Sequence, residues 1–227
     1  MFTKNNIKSL EVELDFLSNF DVIFWDFDGV IKDSVEVKAE AFAALFNGYG
    51  IGVQKKVREH HLQHGGMSRY EKIPFYFQEY VHLHLSEKEQ QAQQIKFKNL
   101  VVEKVIESEW VLGVKDYLVS NSQIKQFFLL TGTPQDEIEY ILDMLKISSC
   151  FKGVIGSPSK KQEGLKHFLN KYNFSTEQCL MIGDSLSDFE AAKSVKIPFL
   201  LRITPENQKF NNLIRCYQIR HFEKAST

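Results

Sequence analysis

Val22–Gly29 reads VIFWDFDG, an unbroken apolar run that abruptly acquires two acids and ends on glycine. A run apolar at successive positions suits a central strand of a parallel sheet, buried on both faces. Further short runs repeat the theme at Phe127–Leu130 (FFLL), Phe151–Ile155, Cys179–Ile182 (CLMI) and Pro198–Ile203 (PFLLRI). Helical stripes separate them. Pro134 stands at a first helical position, with Asp136 and Glu137 in the first turn and Ile138, Ile141, Leu142 and Leu145 on one face. Leu165, Phe168, Leu169 and Tyr172 stripe a second helix. Strands alternating with amphipathic helices predict an α/β fold, a Rossmann-like parallel sheet with helices on both faces.

Between the first two strands the pattern is different. Ser34 can cap a helix carrying Phe42, Leu45, Phe46 and Tyr49, and Ser86 with Glu89 forms a capping box for a long helix running towards Trp110. No stretch from about 53 to 110 alternates like a strand. These features divide the chain into a core domain, residues 1–33 and 114–227, and an inserted helical domain, residues 34–113. Residues 1–20 read as an extension with a helix packed on the body. The C-terminal arginines Arg202, Arg215 and Arg220 have two readings, packing on the core or sitting at an interface.

Composition excludes several function classes. The 227 residues are 43% hydrophobic, ample for a packed core, and 28 basic against 29 acidic residues leave a net charge of −1. That balance gives no electrostatic footprint for nucleic acid. No run approaches the roughly 20 apolar residues of a membrane span. The N-terminal stretch has early acids and no signal-type apolar run, which predicts a cytoplasmic protein. Cys150, Cys179 and Cys216 lie too far apart in sequence for a zinc-type pair and imply no disulfide framework.

In such a sheet functional groups gather at the carboxyl ends of the strands. There the sequence places Asp26 and Asp28, then Thr131, Gly132 and Thr133, then Lys160 and Lys161, and finally Asp184 and Asp188. Crowded carboxylates repel, and a hard cation of the Mg²⁺ type relieves the repulsion. A lysine offsets remaining negative charge, while hydroxyl and backbone N–H groups near a helix start suit a phosphoryl oxygen.

Asp26-Phe-Asp-Gly-Val30, Thr131 after FFLL, a lysine in SPSKKQEGL and Gly183-Asp-Ser-Leu-Ser-Asp188 resemble, in order, the four motifs of the haloacid dehalogenase-like phosphotransferases. The resemblance covers the chain from about 20 to 203. It implies that Asp26 is the nucleophile, becoming an aspartyl phosphate, and that Asp28 is the acid and then the base. It implies a Mg²⁺ site at Asp26, the carbonyl of Asp28, and Asp184, with Asp188 as a further ligand or support. Thr131 and Gly132 would bind the phosphoryl group. Lys161 fits the motif phasing better than Lys160, which stays open. An acid at Asp28 is expected for phosphate-ester chemistry and argues against dehalogenation or phosphonate cleavage.

The insertion resembles the type-one helical cap of this family, hinged near Ile31–Ser34 and Val111–Val114. Gly65-Gly-Met-Ser-Arg69 resembles the Gly-x-Ser-Arg specificity loop of β-phosphoglucomutase and related sugar phosphatases, implying substrate contacts from Gly66, Ser68 and Arg69. His60, His61 and His64 precede it and read as a polar lining of the entrance. Lys38 stands where the mutases carry a histidine, and Gly183-Asp184 replaces their paired acids. Both departures favour a phosphatase over a phosphomutase, acting on a small phosphorylated metabolite such as a sugar phosphate or sugar acid, in a monomer or homodimer. The helical insertion argues against a receiver domain, and the complete motif set against a silent binding protein of the same fold.

Overall fold

The structure, a computed structural model, describes residues 10–208 and 216–223. Seven parallel strands form one sheet: β1 (Leu10–Glu11), β2 (Val22–Trp25), β3 (Gln126–Pro134), β4 (Phe151–Ser157), β5 (Cys179–Gly183), β6 (Phe199–Arg202) and β7 (Tyr217–Ile219). Their spatial order is β1-β7-β6-β5-β2-β3-β4. The VIFW run is therefore central, with Trp25 beside Leu129 of β3 on one side and Ile182 of β5 on the other.

Both faces of that strand are covered. Ile23 and Trp25 join Phe127, Leu129 and Leu180 in one apolar cluster. Val22 and Phe24 join Phe128, Leu130 and Met181 in a second, on the opposite face. The second cluster is closed by α7 (Lys161–Tyr172) and α8 (Leu186–Ser194) through Leu165, Phe168, Ala191 and Ala192. The first is closed by α5 (Val114–Asn121) and α6 (Gln135–Met144). This burial on two faces explains why the strands read as solid apolar runs instead of alternating ones.

Four helices leave the sheet between β2 and β3: α1 (Val35–Leu45), α2 (Ile51–Gln63), α3 (Arg69–Tyr76) and α4 (Glu87–Glu107). Their apolar faces are not a separate core. Phe42, Phe46, Tyr76, Phe77 and Phe97 belong to the same cluster as Trp25 and Ile138, continuous through Ile31 and Val111. The outgoing and returning segments pair across Asp33 N to Glu109 O (2.8 Å) and Val111 N to Ile31 O (3.0 Å). Lys32 is buried at this crossing, its Nζ donating to Ile106 O at 3.0 Å and lying 4.7 Å from the Trp110 ring.

Three expectations change. Among the described residues the extension carries a short strand, β1, and a 3-10 turn at Leu14–Asn19 rather than an α-helix. Strand β7 was not expected; it adds to β6 and receives β1, and Arg220 Nε binds Glu11 Oε1 at 2.8 Å beside that edge. The α1 pattern stops at Leu45, and Tyr49 sits in a separate 3-10 turn, Asn47–Tyr49. Arg202 packs on the core, donating from Nη1 to Gly29 O at 3.2 Å, while Arg215 lies outside the described residues. No helix among the described residues is long and apolar enough to cross a membrane.

The ring of Phe24 lies 5.4 Å from that of Phe128 and 6.3 Å from that of Phe168, and it is fully buried. Phe24→Ala removes the centre of this face and is expected to cost about 3–5 kcal/mol, read from the urea midpoint at unchanged slope.

Candidate active site

Five strand ends and helix starts converge at the carboxyl edge of the sheet. Asp26 leaves β2 with its backbone N–H still donating to Ile182 O of β5 at 2.9 Å, so the sheet ladder itself fixes where the carboxylate starts. The turn that follows needs Gly29. Its φ is +73°, and a Cβ there would lie 2.3 Å from Asp184 Oδ2, so only glycine lets the acids of two loops approach.

Lys161, the first residue of α7, reaches into this space and is buried. Its Nζ lies 2.7 Å from Asp26 Oδ1 and 2.6 Å from Asp188 Oδ1. Lys160 is exposed and takes no part. The other oxygen of Asp188 accepts from Ser185 Oγ at 2.5 Å and Ser185 N at 3.2 Å, a capping box at the start of α8. Asp26, Asp184 and Asp188 present carboxylate oxygens within 4.8 Å of one another, the one such group of potential metal ligands among the described residues. An all-oxygen, all-carboxylate set suits a hard divalent cation.

Charge crowding marks the same residues. Burial, then the neighbouring Asp188, pushes the Asp26 carboxyl up to about 7 against the pull of Lys161. Burial, then Asp26 and Asp188, raises that of Asp184 well above the ordinary range. Burial alone would lower the Lys161 ammonium, but Asp188 and Asp26 outweigh it and hold it above its usual range.

Asp28 sits in a different environment. Its carboxylate lies outside the three-acid group and is gripped by Lys38, which ion-pairs with Oδ2, and by Ser34, which donates to Oδ1 at 2.6 Å. Despite burial, these partners keep Asp28 below the usual carboxylate range. As a metal ligand Asp28 would act through its backbone carbonyl, not its side chain. The Ser34 hydroxyl is thus spent on Asp28 and not on capping α1. Lys38 also donates to Thr133 Oγ1 at 2.8 Å, tying α1 to β3.

Thr131 is buried, its Oγ1 accepting from Thr133 N at 3.1 Å. Gly132 faces the inserted domain, within about one atom's width of Gly66: a Cβ on Gly132 would lie 3.0 Å from Gly66 O. Gly66 itself has φ +81°, and any side chain there would strike Ser187 Oγ. Ser187 Oγ donates to Gly65 O at 3.2 Å, so the Gly-Gly loop rests directly on the start of α8.

Arg69 and Ser68 are where the structure departs from a simple substrate clamp. Ser68 caps α3, accepting from Tyr70 N at 3.0 Å. Arg69 is buried in the cavity wall, but its guanidinium makes a two-pronged pair with Glu137 of α6, at 2.8 and 2.6 Å, and lies 4.6 Å from the Phe97 ring centre. Lys98 reaches Asp136 on the same helix turn at 3.0 Å. His60 and His64 stack at 3.9 Å on the outside, where burial, then His64, pushes His60 down to about 4. His61, by contrast, turns inward and lines the cavity with Lys38 and Lys72.

Sequence reading missed Lys38, Lys72 and Asn207 as cavity residues, whereas His61, read as a lining of the entrance, does line the cavity. Asn207 Nδ2 donates to the carbonyls of Asp184 and Arg202, both at 2.8 Å, fixing the loop that carries Asp184. Only the departure at Lys38 left a signal, a lysine at a position where related sequences carry a histidine.

Two measurements follow from this geometry. Glu137→Ala leaves Arg69 buried without a countercharge and is expected to cost about 3–5 kcal/mol in an unfolding titration. The second concerns pH. Without metal, the folded chain keeps protons on Asp26 and Asp184 that the unfolded chain has already released. Stability should therefore fall as pH rises from about 4 to about 7. A divalent cation at ~100 times its Kd should restore about 2.7 kcal/mol near neutral pH in the native chain and far less in Asp184→Asn, read by thermal unfolding.

The comparisons agree with this arrangement. A model of haloacid dehalogenase-like hydrolases matches residues 20–196. The chain is 38% identical over 71 residues to a phosphoglycolate phosphatase of Vibrio cholerae, covering 29% of this chain and 31% of that protein. It is 32% identical over 91 residues to a phosphoglycolate phosphatase of Pseudomonas putida, covering 37% and 34%. The matched stretches thus span about a third of the length of these curated relatives. The fold is shared with a β-phosphoglucomutase from Clostridium difficile at a TM-score of 0.69 and 21% identity, over 89% of this chain and 92% of that one. With the motif order, the sheet and the family match in agreement, the chain belongs to the haloacid dehalogenase-like hydrolases.

Proposed function

We propose that this chain is a Mg²⁺-dependent phosphatase that hydrolyses a small phosphorylated metabolite through an aspartyl phosphate on Asp26. The observation that carries the reading is the buried Lys161 ammonium shared by Asp26 and Asp188, with Asp184 alongside. Lys161 pairs with Oδ1 of Asp26, and Asp26 itself lines the cavity.

Each residue then has a task. Lys161 pulls Asp26 towards its ionised form against the crowding of acids, and the ionised carboxylate has the lone pair that attacks phosphorus to form the acyl phosphate. Thr131, Gly132 and the N–H groups near them orient the phosphoryl oxygens as the bond to the leaving oxygen breaks. Asp28 supplies a proton to that oxygen and then takes one from the water that cleaves the acyl phosphate. The grip of Lys38 and Ser34 favours the carboxylate form that Asp28 needs in the second task, once its proton has gone to the leaving oxygen. Asp26, Asp184, Asp188 and the Asp28 carbonyl would hold a divalent cation, which would supply positive charge to offset the phosphoryl oxygens.

Residues 34–113 act as a cap over this centre. The Arg69–Glu137 pair and the Gly65–Ser187 contact support a cap seated on the core, excluding water during transfer. The names of the curated relatives make a short phosphorylated acid the first substrate to try. No feature of the cavity specifically favours isomerisation.

Phosphate release from p-nitrophenyl phosphate and a panel of small phosphate esters, with Mg²⁺ and with EDTA, tests the reading. Turnover should require the metal and fall by at least ~1,000-fold in Asp26→Asn, consistent with loss of a covalent nucleophile. Undiminished turnover in that variant would refute it.

A further inference from the structure

The cavity holds four cationic side chains, and three are already matched. Lys161 is paired with Asp26 and Asp188, Lys38 with Asp28, and Arg69 with Glu137. Lys72 is the exception. It lies on α3, is 1% exposed, lines the cavity, and has no carboxylate within 4.0 Å among the described residues. Its one close polar neighbour is His61 of α2, whose Nδ1 is 3.0 Å from Lys72 Nζ. An ammonium has only hydrogens to offer, so Nδ1 accepts and the ring hydrogen stands on Nε2. The face of Phe42 lies 5.6 Å from the ammonium.

A buried ammonium with no countercharge is costly unless something supplies one. Burial, then the nearby Lys38, depresses the Lys72 ammonium to about 7, while Asp28 and Asp184 pull only weakly the other way. Burial, then Lys72 and Lys38, lowers the His61 imidazolium well below its usual range and holds the ring neutral. An anionic group arriving in the cavity would remove the mismatch.

Resting on the phosphatase reading of this site, we infer that Lys72, positioned by His61, binds a carboxylate on the non-transferred part of the substrate. Charge counting favours a single carboxylate over a second phosphate, because one ammonium beside a neutral imidazole balances one negative charge. Part of the cavity wall is apolar and suits a short substrate with few hydroxyl groups. Val35, Phe42, Leu62, Met67 and Phe97 face the cavity, and they offer hydroxyl groups no partner. A short phosphorylated hydroxy acid meets both conditions, its phosphoryl end towards Asp26 and its carboxylate towards Lys72. Arg69, the residue the sequence suggests for this task, has its fork taken by Glu137 and serves instead to seat the cap.

The test uses a matched pair, 2-phosphoglycolate and ethyl phosphate, which differ in the carboxylate. In the wild-type protein 2-phosphoglycolate should be preferred, both in kcat/KM and in calorimetric binding. In Lys72→Met that preference should shrink by about 10- to 100-fold, the scale of one charge-assisted contact, and mainly through KM. Replacing a buried charge by an apolar chain of similar volume is usually tolerated. Should this variant fail to fold, Lys72→Gln allows the same comparison. Equal binding of the two esters by the wild type, or a preference that survives both substitutions, would overturn the inference while leaving the phosphatase reading intact. A Lys72-dependent preference in binding with no turnover of any ester would do the reverse.

Discussion

One buried ammonium organises this molecule. Lys161 reaches from the start of α7 to sit between Asp26 and Asp188, which leave different strands of the sheet. Three carboxylates in so small and dry a space repel strongly, and burial raises their cost further. A single positive charge offsets only part of that. The remainder suits the three-acid group to a hard divalent cation. The local details serve the same end: Gly29 lets Asp184 approach, Ser185 satisfies the second oxygen of Asp188, and Asn207 ties down the loop behind them.

The inserted helices are bound to this centre by both chemistry and packing. Their aromatic faces continue the apolar cluster on one side of the sheet, and Arg69–Glu137 adds a desolvated ion pair across the join. Cations and anions are thereby sorted across the cavity. Acids line the sheet side, while Lys38 and Lys72 project from the helical side.

Most of the sheet was legible because doubly buried parallel strands cannot hide: VIFW, FFLL, CLMI and PFLLRI all surface as strands. The edges were not. Leu10–Glu11 and Tyr217–Ile219 are too short to show a period, and only their pairing makes them strands. The site was half legible. Acids following an apolar run advertise themselves, and phase favoured Lys161 while leaving Lys160 open. Lys72 was not, since Arg-Tyr-Glu-Lys reads as a solvated helix start and nothing local reveals its burial. The partner of Arg69 lies 68 residues away on α6, a distance no local pattern bridges.

The central claim is that Asp26 carries the phosphoryl group covalently. Borohydride quenching during turnover reduces an acyl phosphate to the alcohol, and peptide mass spectrometry then locates the altered residue. The account predicts homoserine at position 26 only, present with substrate and Mg²⁺ and absent when either is omitted. Modification at Asp28, Asp184 or Asp188 instead, or sustained turnover with no modified residue, would contradict it.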